Sequence, residues 1–234
     1  MQNDLMQKKP PPGHIVPVPS RENTRSVPKI RLAPQEELVP RSTRIPFRRA
    51  RRWRSQGEEN LYGVPAVSVF VTQAAYWRFN AHAQSDLQNE VGGWLIGKWR
   101  LDKQSGEQFV VIETILPALY TQQGSAYLTF TQESQVALHN HIQTYYPDKE
   151  LVGWFHTHPR MGVFLSEYDN FLHRNFFPEL WQVALVIEPY GGTGGFFIRQ
   201  PDGTLDTRRY YGFYELLNWR RHSVVQWRNL LSEE

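Results

Sequence analysis

LVGWFHTHPRMGVFLSEYD, residues 151–169, is the stretch that decides how this chain is read. Its first seven residues are dense in apolar side chains, as in a strand buried on both faces. Side chains two apart on a strand project to the same side, so His156 and His158 can aim both imidazoles at one point. Ser166 opens a short predicted helix, and Asp169 follows three residues later. That S-x-x-D pattern matches a helix capping box, which needs no metal. It also puts a carboxylate in the first turn of a helix that can fold back over the strand end, where it could act as a third ligand. Two histidines and one carboxylate leave the fourth tetrahedral position open, the pattern of a catalytic zinc site and not of a closed structural one.

The same chain contains a control. His139-Asn140-His141 repeats the H-x-H spacing inside a predicted helix over 131–145, where residues two apart diverge by about 200°. These two read as solvated helix histidines. His173, four residues beyond Asp169, reads as another surface helix histidine, although one turn from Asp169 it could also support the metal cluster.

Outward from this stretch the pattern is mixed α and β around one sheet. Residues 64–71 read as a strand and 72–86 as a helix. Two strands, 91–99 and 107–116, pair across a turn at 102–106, and a short strand follows at 127–130. Beyond the central stretch come a buried strand at 182–187, a glycine-rich turn at 191–195 leading into 196–199, and a last strand at 210–213. An amphipathic helix over 214–231 closes the chain. Tyr210, Tyr211, Phe213 and Tyr214 read as core.

Residues 1–60 have a different texture. They hold nine of the sixteen prolines and 13 Lys/Arg against 6 Asp/Glu, a charge of +7, whereas the other 174 residues carry 13 against 17, or −4. Low hydrophobicity with excess charge predicts a disordered basic tail. It ends in Arg48-Arg49-Ala50-Arg51-Arg52-Trp53-Arg54, read as a solvated linker or as a docking arm for an acidic protein surface or nucleic acid. The expected division is therefore a tail over 1–60 and one folded domain over 61–234. The chain has no cysteine, which excludes disulfides, thiolate zinc sites and cysteine nucleophiles. Neither a signal-peptide h-region nor a run of about 18 apolar residues is found, so the expectation is a cytoplasmic protein with no membrane partner.

Taken together, His156, His158, Ser166 and Asp169 spell H-x-H-x7-S-x2-D. With Glu90 in Asn89-Glu90-Val91-Gly92-Gly93-Trp94-Leu95-Ile96-Gly97, the chain resembles the JAMM/MPN+ (JAB-type) family of zinc metalloproteases over about residues 64–213. The resemblance implies an α/β (α+β) MPN/JAB fold, a twisted mixed β-sheet flanked by helices in a cytidine-deaminase-like layer arrangement. It implies one Zn2+ held by His156, His158 and Asp169, Glu90 as general base and Ser166 as oxyanion donor. The implied substrate is a ubiquitin-like protein or its conjugate, cut after the modifier's C-terminal glycine. Phe164-Leu165-Ser166 resembles the deubiquitinase-like members. Peptidases acting on small sulfur-carrier proteins and non-catalytic MPN scaffolds are the other activities that the family admits.

Overall fold

The computed structural model describes residues 39–56, 58, 64–118, 132–220 and 222–233. Within them the chain forms β1 (Arg41–Thr43), β2 (Ala50–Ser55), β3 (Ser68–Thr72), α1 (Gln73–Ala83), β4 (Gly92–Asp102) and β5 (Gln108–Pro117). Then follow α2 (Gln132–Tyr145), β6 (Glu150–Thr157), α3 (Glu167–Phe176), β7 (Val183–Glu188), β8 (Thr193–Phe197), β9 (Phe213–Leu216) and β10 (Leu230–Glu233). The strands make one mixed sheet in the order β10-β2-β9-β3-β5-β4-β6-β7-β8, with β1 parallel to the far end of β4. This is the mixed α and β architecture expected for an MPN/JAB fold. The expected strand at 127–130 lies outside the described residues, as do residues 1–38 of the expected tail.

Helix α1 starts where Thr72 caps the Ala75 amide through its hydroxyl, and it buries Ala75, Tyr76, Phe79 and Ala83 on one face of the sheet. Full burial of Phe79 alone contributes about 1.5–3 kcal/mol. On the other face, Leu172 and Phe177 at α3 pack with Trp154, Ala184 and Val186, while Leu138 and Ile142 of α2 pack on Ile96. Phe155 and Leu185 point into the α1 core, and their neighbours Trp154 and Val186 into the α3 core, so β6 and β7 are buried on both sides.

A bulge in β6 sets which residues face which core. Leu95 pairs with Gly153 but Ile96 pairs with Leu151, so Val152 is an extra residue in the ladder. Val152 and Phe155 therefore share the α1 face, while Trp154 turns to the α3 face. Gly153 permits this: its φ is 155°, and a Cβ there would run into the carbonyl oxygen of Val183.

Two expectations are corrected at the chain's ends. Structure begins well before residue 61, and the arginine-rich run is a strand from Ala50 onward, after a 3-10 turn that holds Arg48 and Arg49. β2 lies inside the sheet between β9 and β10. Two of its arginines are matched by acids: Arg52 pairs with Glu58, six residues on, and stacks on Tyr214, and Arg54 pairs with Glu233 at the far end of the chain. On the alternate face Trp53 donates to the fully buried Glu215 at 3.0 Å. A strand polar on both faces has no apolar alternation to reveal it. The expected helix over 214–231 is instead β9, an irregular segment and β10. Trp227 is drawn onto α1, where its indole donates to Asn80 at 2.9 Å and lies against Phe79, while the Tyr76 hydroxyl accepts the Gln226 amide. Tertiary anchoring overrides a local periodicity that reads as helix. The glycine-rich turn is also partly strand. Gly194 and Gly195 belong to β8, where the rings of Trp227 and Tyr210 fill the space of a Cβ.

Candidate metal centre

His156 is the penultimate residue of β6, clamped between Gly92 of β4 and Val186 of β7. His158 lies one residue past the strand, its amide still bonded to the Ile187 carbonyl at 2.9 Å. Both imidazoles turn the same way, and their Nε2 atoms are 2.8 Å apart. Asp169 completes the group, with Oδ1 3.3 Å from His156 Nε2 and Oδ2 3.5 Å from His158 Nε2. One ligand atom from each of the three residues lies within 4.8 Å of the others. The three are only 3%, 3% and 7% exposed.

The start of α3 delivers the carboxylate. Ser166 Oγ accepts the Asp169 amide at 3.1 Å, and Asp169 Oδ2 accepts the Ser166 amide at 2.7 Å, a reciprocal capping box. The capping and the ligand readings of S-x-x-D are thus compatible: the bond that caps the helix also aims the carboxylate at the histidines. Burial raises the Asp169 carboxyl, but the hydrogen bonds with His156, His158 and Ser166 outweigh it and hold the group well below the usual carboxylate range.

Glu90 lies just before β4, half-buried. Burial raises its carboxyl above the ordinary value, His156 and His158 pull it back, and Asp169 pushes it up again. Its electrostatic neighbours are therefore the three clustered residues.

The donor set suits zinc. It offers two imidazole nitrogens and one carboxylate, and among the described residues Asp169 pairs with no cation except these two histidines. A buried anion facing two imidazole nitrogens gains most from a divalent cation between them.

Aromatic rings hold both imidazoles in place. Among the described residues, no hydrogen-bond partner reaches the buried His156 Nδ1 or His158 Nδ1. Instead Trp154 lies parallel to His156, ring centroids 4.8 Å apart and planes 7° from parallel, and Phe164 packs on His158 at 4.7 Å. Trp154 is in turn fixed by His173, whose Nδ1 accepts the indole N–H at 3.1 Å. His173 is thus fully buried, not on the surface as expected. Burial, aided by the nearby Arg199 guanidinium, lowers it to about 3 and keeps it neutral. The i, i+4 spacing from Asp169 was the available signal for His173; the bond to Trp154 had none. His139 and His141 are exposed on α2, as their helical spacing predicts.

The loop beyond His158 has its own anchor. Arg160 adopts a positive φ of 64°, its amide bonded to the buried Glu188 carboxylate at 3.0 Å and its guanidinium 4.1 Å above the Tyr190 ring. Glu188 also accepts the amides of Tyr190 and Gly191, so the loop after β6 and the turn after β7 share one carboxylate.

Comparison with known proteins adds a family. Residues 66–177 match the model described as JAB1/Mov34/MPN/PAD-1 ubiquitin protease. No curated protein matches the chain. Among solved structures, the chain is similar to a protein of Desulfitobacterium hafniense determined in solution. The two share 21% identity over 66% of this chain and 99% of that one, with a TM-score of 0.46.

Proposed function

Residues 66–177 form a domain of the JAB1/Mov34/MPN/PAD-1 ubiquitin protease family, and from that premise we propose that the chain is a zinc-dependent peptidase. Its substrate is a ubiquitin-like modifier, released from a conjugate or trimmed from a precursor by cleavage after the modifier's C-terminal glycine. The family includes metallopeptidases and non-catalytic members. The observation that favours a peptidase is the convergence of His156, His158 and Asp169 within 4.8 Å, buried, with the Glu90 carboxyl coupled to all three.

Zinc held by His156, His158 and Asp169 would supply Lewis acidity, making water a competent nucleophile near neutral pH. Glu90 accepts a proton from the attacking water and returns it to the departing amine. Its half-buried carboxyl, raised above the ordinary range, is suited to a proton exchanged in both directions. Ser166 Oγ accepts the Asp169 amide and keeps its own hydroxyl proton to donate to the oxygen of the scissile carbonyl as charge develops there. Trp154 and Phe164 fix the imidazole planes and close off water from behind.

The test is metal content followed by cleavage. Protein purified without chelator or affinity metal should carry about one zinc per chain, lost in His158→Ala. Zinc-loaded protein is then assayed on ubiquitin-like and sulfur-carrier proteins extended by a peptide beyond the C-terminal glycine. A wild-type chain that takes up no zinc even after exchange against zinc buffer would be a non-catalytic member of the same family.

A further inference from the structure

Thr157, the residue between the two histidines, points away from them, yet it holds the segment that carries Glu90. The Thr157 amide donates to the Val91 carbonyl at 2.8 Å, and the Val91 amide donates to Thr157 Oγ1, also at 2.8 Å. Thr157 is fully buried and Val91 nearly so. The hydroxyl oxygen thus takes the place of a strand carbonyl and extends the β4–β6 ladder by one rung, past the last regular pair, Gly92 with His156. A second tie lies alongside: the Gly92 carbonyl accepts the Ala118 amide at 2.9 Å and faces His82 Nε2 at 3.2 Å. Glu90, one residue before Val91, has no regular strand to fix it. Its distance from the histidines is set by whatever ties Val91 to β6.

We propose that Thr157 is a positioning residue for Glu90: its hydroxyl oxygen holds the Val91 amide and so fixes the carboxylate relative to His156 and His158. This rests on the zinc-peptidase reading and adds a residue to it. A backbone bond alone would leave Val91 free to hinge about one contact, whereas the reciprocal pair blocks that rotation. Any residue but proline supplies the amide at position 157, whereas the acceptor must come from a side-chain oxygen. Serine retains it, and valine, nearly the same shape, removes it.

The experiment compares Thr157→Val, Thr157→Ser, Glu90→Gln and the double variant Thr157→Val/Glu90→Gln with wild type, each loaded with Co2+ as a visible probe of the site. The three ligands are untouched, so all five should bind about one equivalent. Thr157→Val should shift the visible cobalt band in the same direction as Glu90→Gln, and the double variant should match Glu90→Gln alone. Thr157→Ser should restore the wild-type band. Amide exchange at Val91 should quicken at least about tenfold in Thr157→Val and stay slow in Thr157→Ser. A wild-type cobalt spectrum in Thr157→Val, with only a lowered melting temperature, would mean that Thr157 merely supports the fold, and the proposal fails while the zinc reading stands. Absence of metal from the wild type itself would overturn both.

Discussion

Trp154 and His156, two residues apart on β6, lie face to face with ring planes 7° from parallel and centroids 4.8 Å apart. The indole N–H on the far side is held by His173. The orientation of the His156 imidazole therefore passes through an aromatic ring to a buried histidine on α3. Trp154→Ala should weaken zinc affinity by about 10–100-fold, the usual effect of removing a group that orients a ligand. It should also cost about 3–5 kcal/mol of stability through the cavity it leaves. Trp154→Phe, which keeps a ring but abandons His173, should fall between the two, as read by zinc titration against a chelating dye.

His173 makes the metal-free fold acid-sensitive. Its folded value, about 3, lies below its unfolded value of 6.5, so its contribution is fully present above pH 6.5. That contribution is lost as pH falls from 6.5 towards 3, because the unfolded chain takes up a proton that the folded chain refuses. The slope is at most about 1.4 kcal/mol per pH unit for this one group. Urea melts of chelator-treated protein between pH 7 and pH 4 should show this loss, and His173→Gln should flatten it. An equally steep profile in the variant would assign the acid sensitivity to other groups.

Ser166 caps α3, and its proposed role as an oxyanion donor separates from that experimentally. Ser166→Ala removes the cap of the Asp169 amide, costing about 0.5–2 kcal/mol in a thermal melt. It leaves the three ligands in place, so zinc content should stay near one per chain. The cleavage rate should drop by about 10²–10³, the cost of losing one oxyanion donor. A rate loss accounted for entirely by lost zinc would assign Ser166 to helix capping alone.

Gly153→Ala tests the bulge. Its φ of 155° and the Val183 carbonyl leave no room for a methyl group. The substitution should destabilise by at least about 1–3 kcal/mol. If the strand escapes strain by closing the bulge, Trp154 and His156 turn to the wrong face. Loss of zinc binding in protein that still melts cooperatively is the expected signature.

A chain that begins at residue 61 lacks β2, and β9 and β10 then face one another across an empty strand position. It should express as aggregated or molten protein with exposed strand edges. A chain that begins at residue 39 keeps β2 and should melt cooperatively. Circular dichroism of the two shortened chains compares them directly.

The clustering of His156, His158 and Asp169 was legible because its geometry is local. His156 and His158 follow strand parity, and Ser166 and Asp169 follow helix-start geometry, so spacing alone marks four of the residues. The placement of Glu90 beside them was suggested only by resemblance, since nothing local distinguishes it from a surface carboxylate. The strands with apolar faces and helices α1 to α3 were likewise readable from hydrophobic period. β2 was not, because Arg54 is matched by Glu233 and Trp53 by Glu215, acids more than 150 residues away that only folding brings to it. The C-terminal segment was misread for a related reason: Trp227 follows its contact with α1, not its own periodicity. The amino-acid sequence by itself determined the His156, His158 and Asp169 cluster, the cap that aims the carboxylate and the order of most elements, each a matter of neighbours within one turn or one strand. Tertiary structure alone decided how the imidazoles are held, by stacking on Trp154 and Phe164, and which strands complete the sheet. Those contacts join residues distant along the chain, and their strength depends on burial that no local pattern encodes.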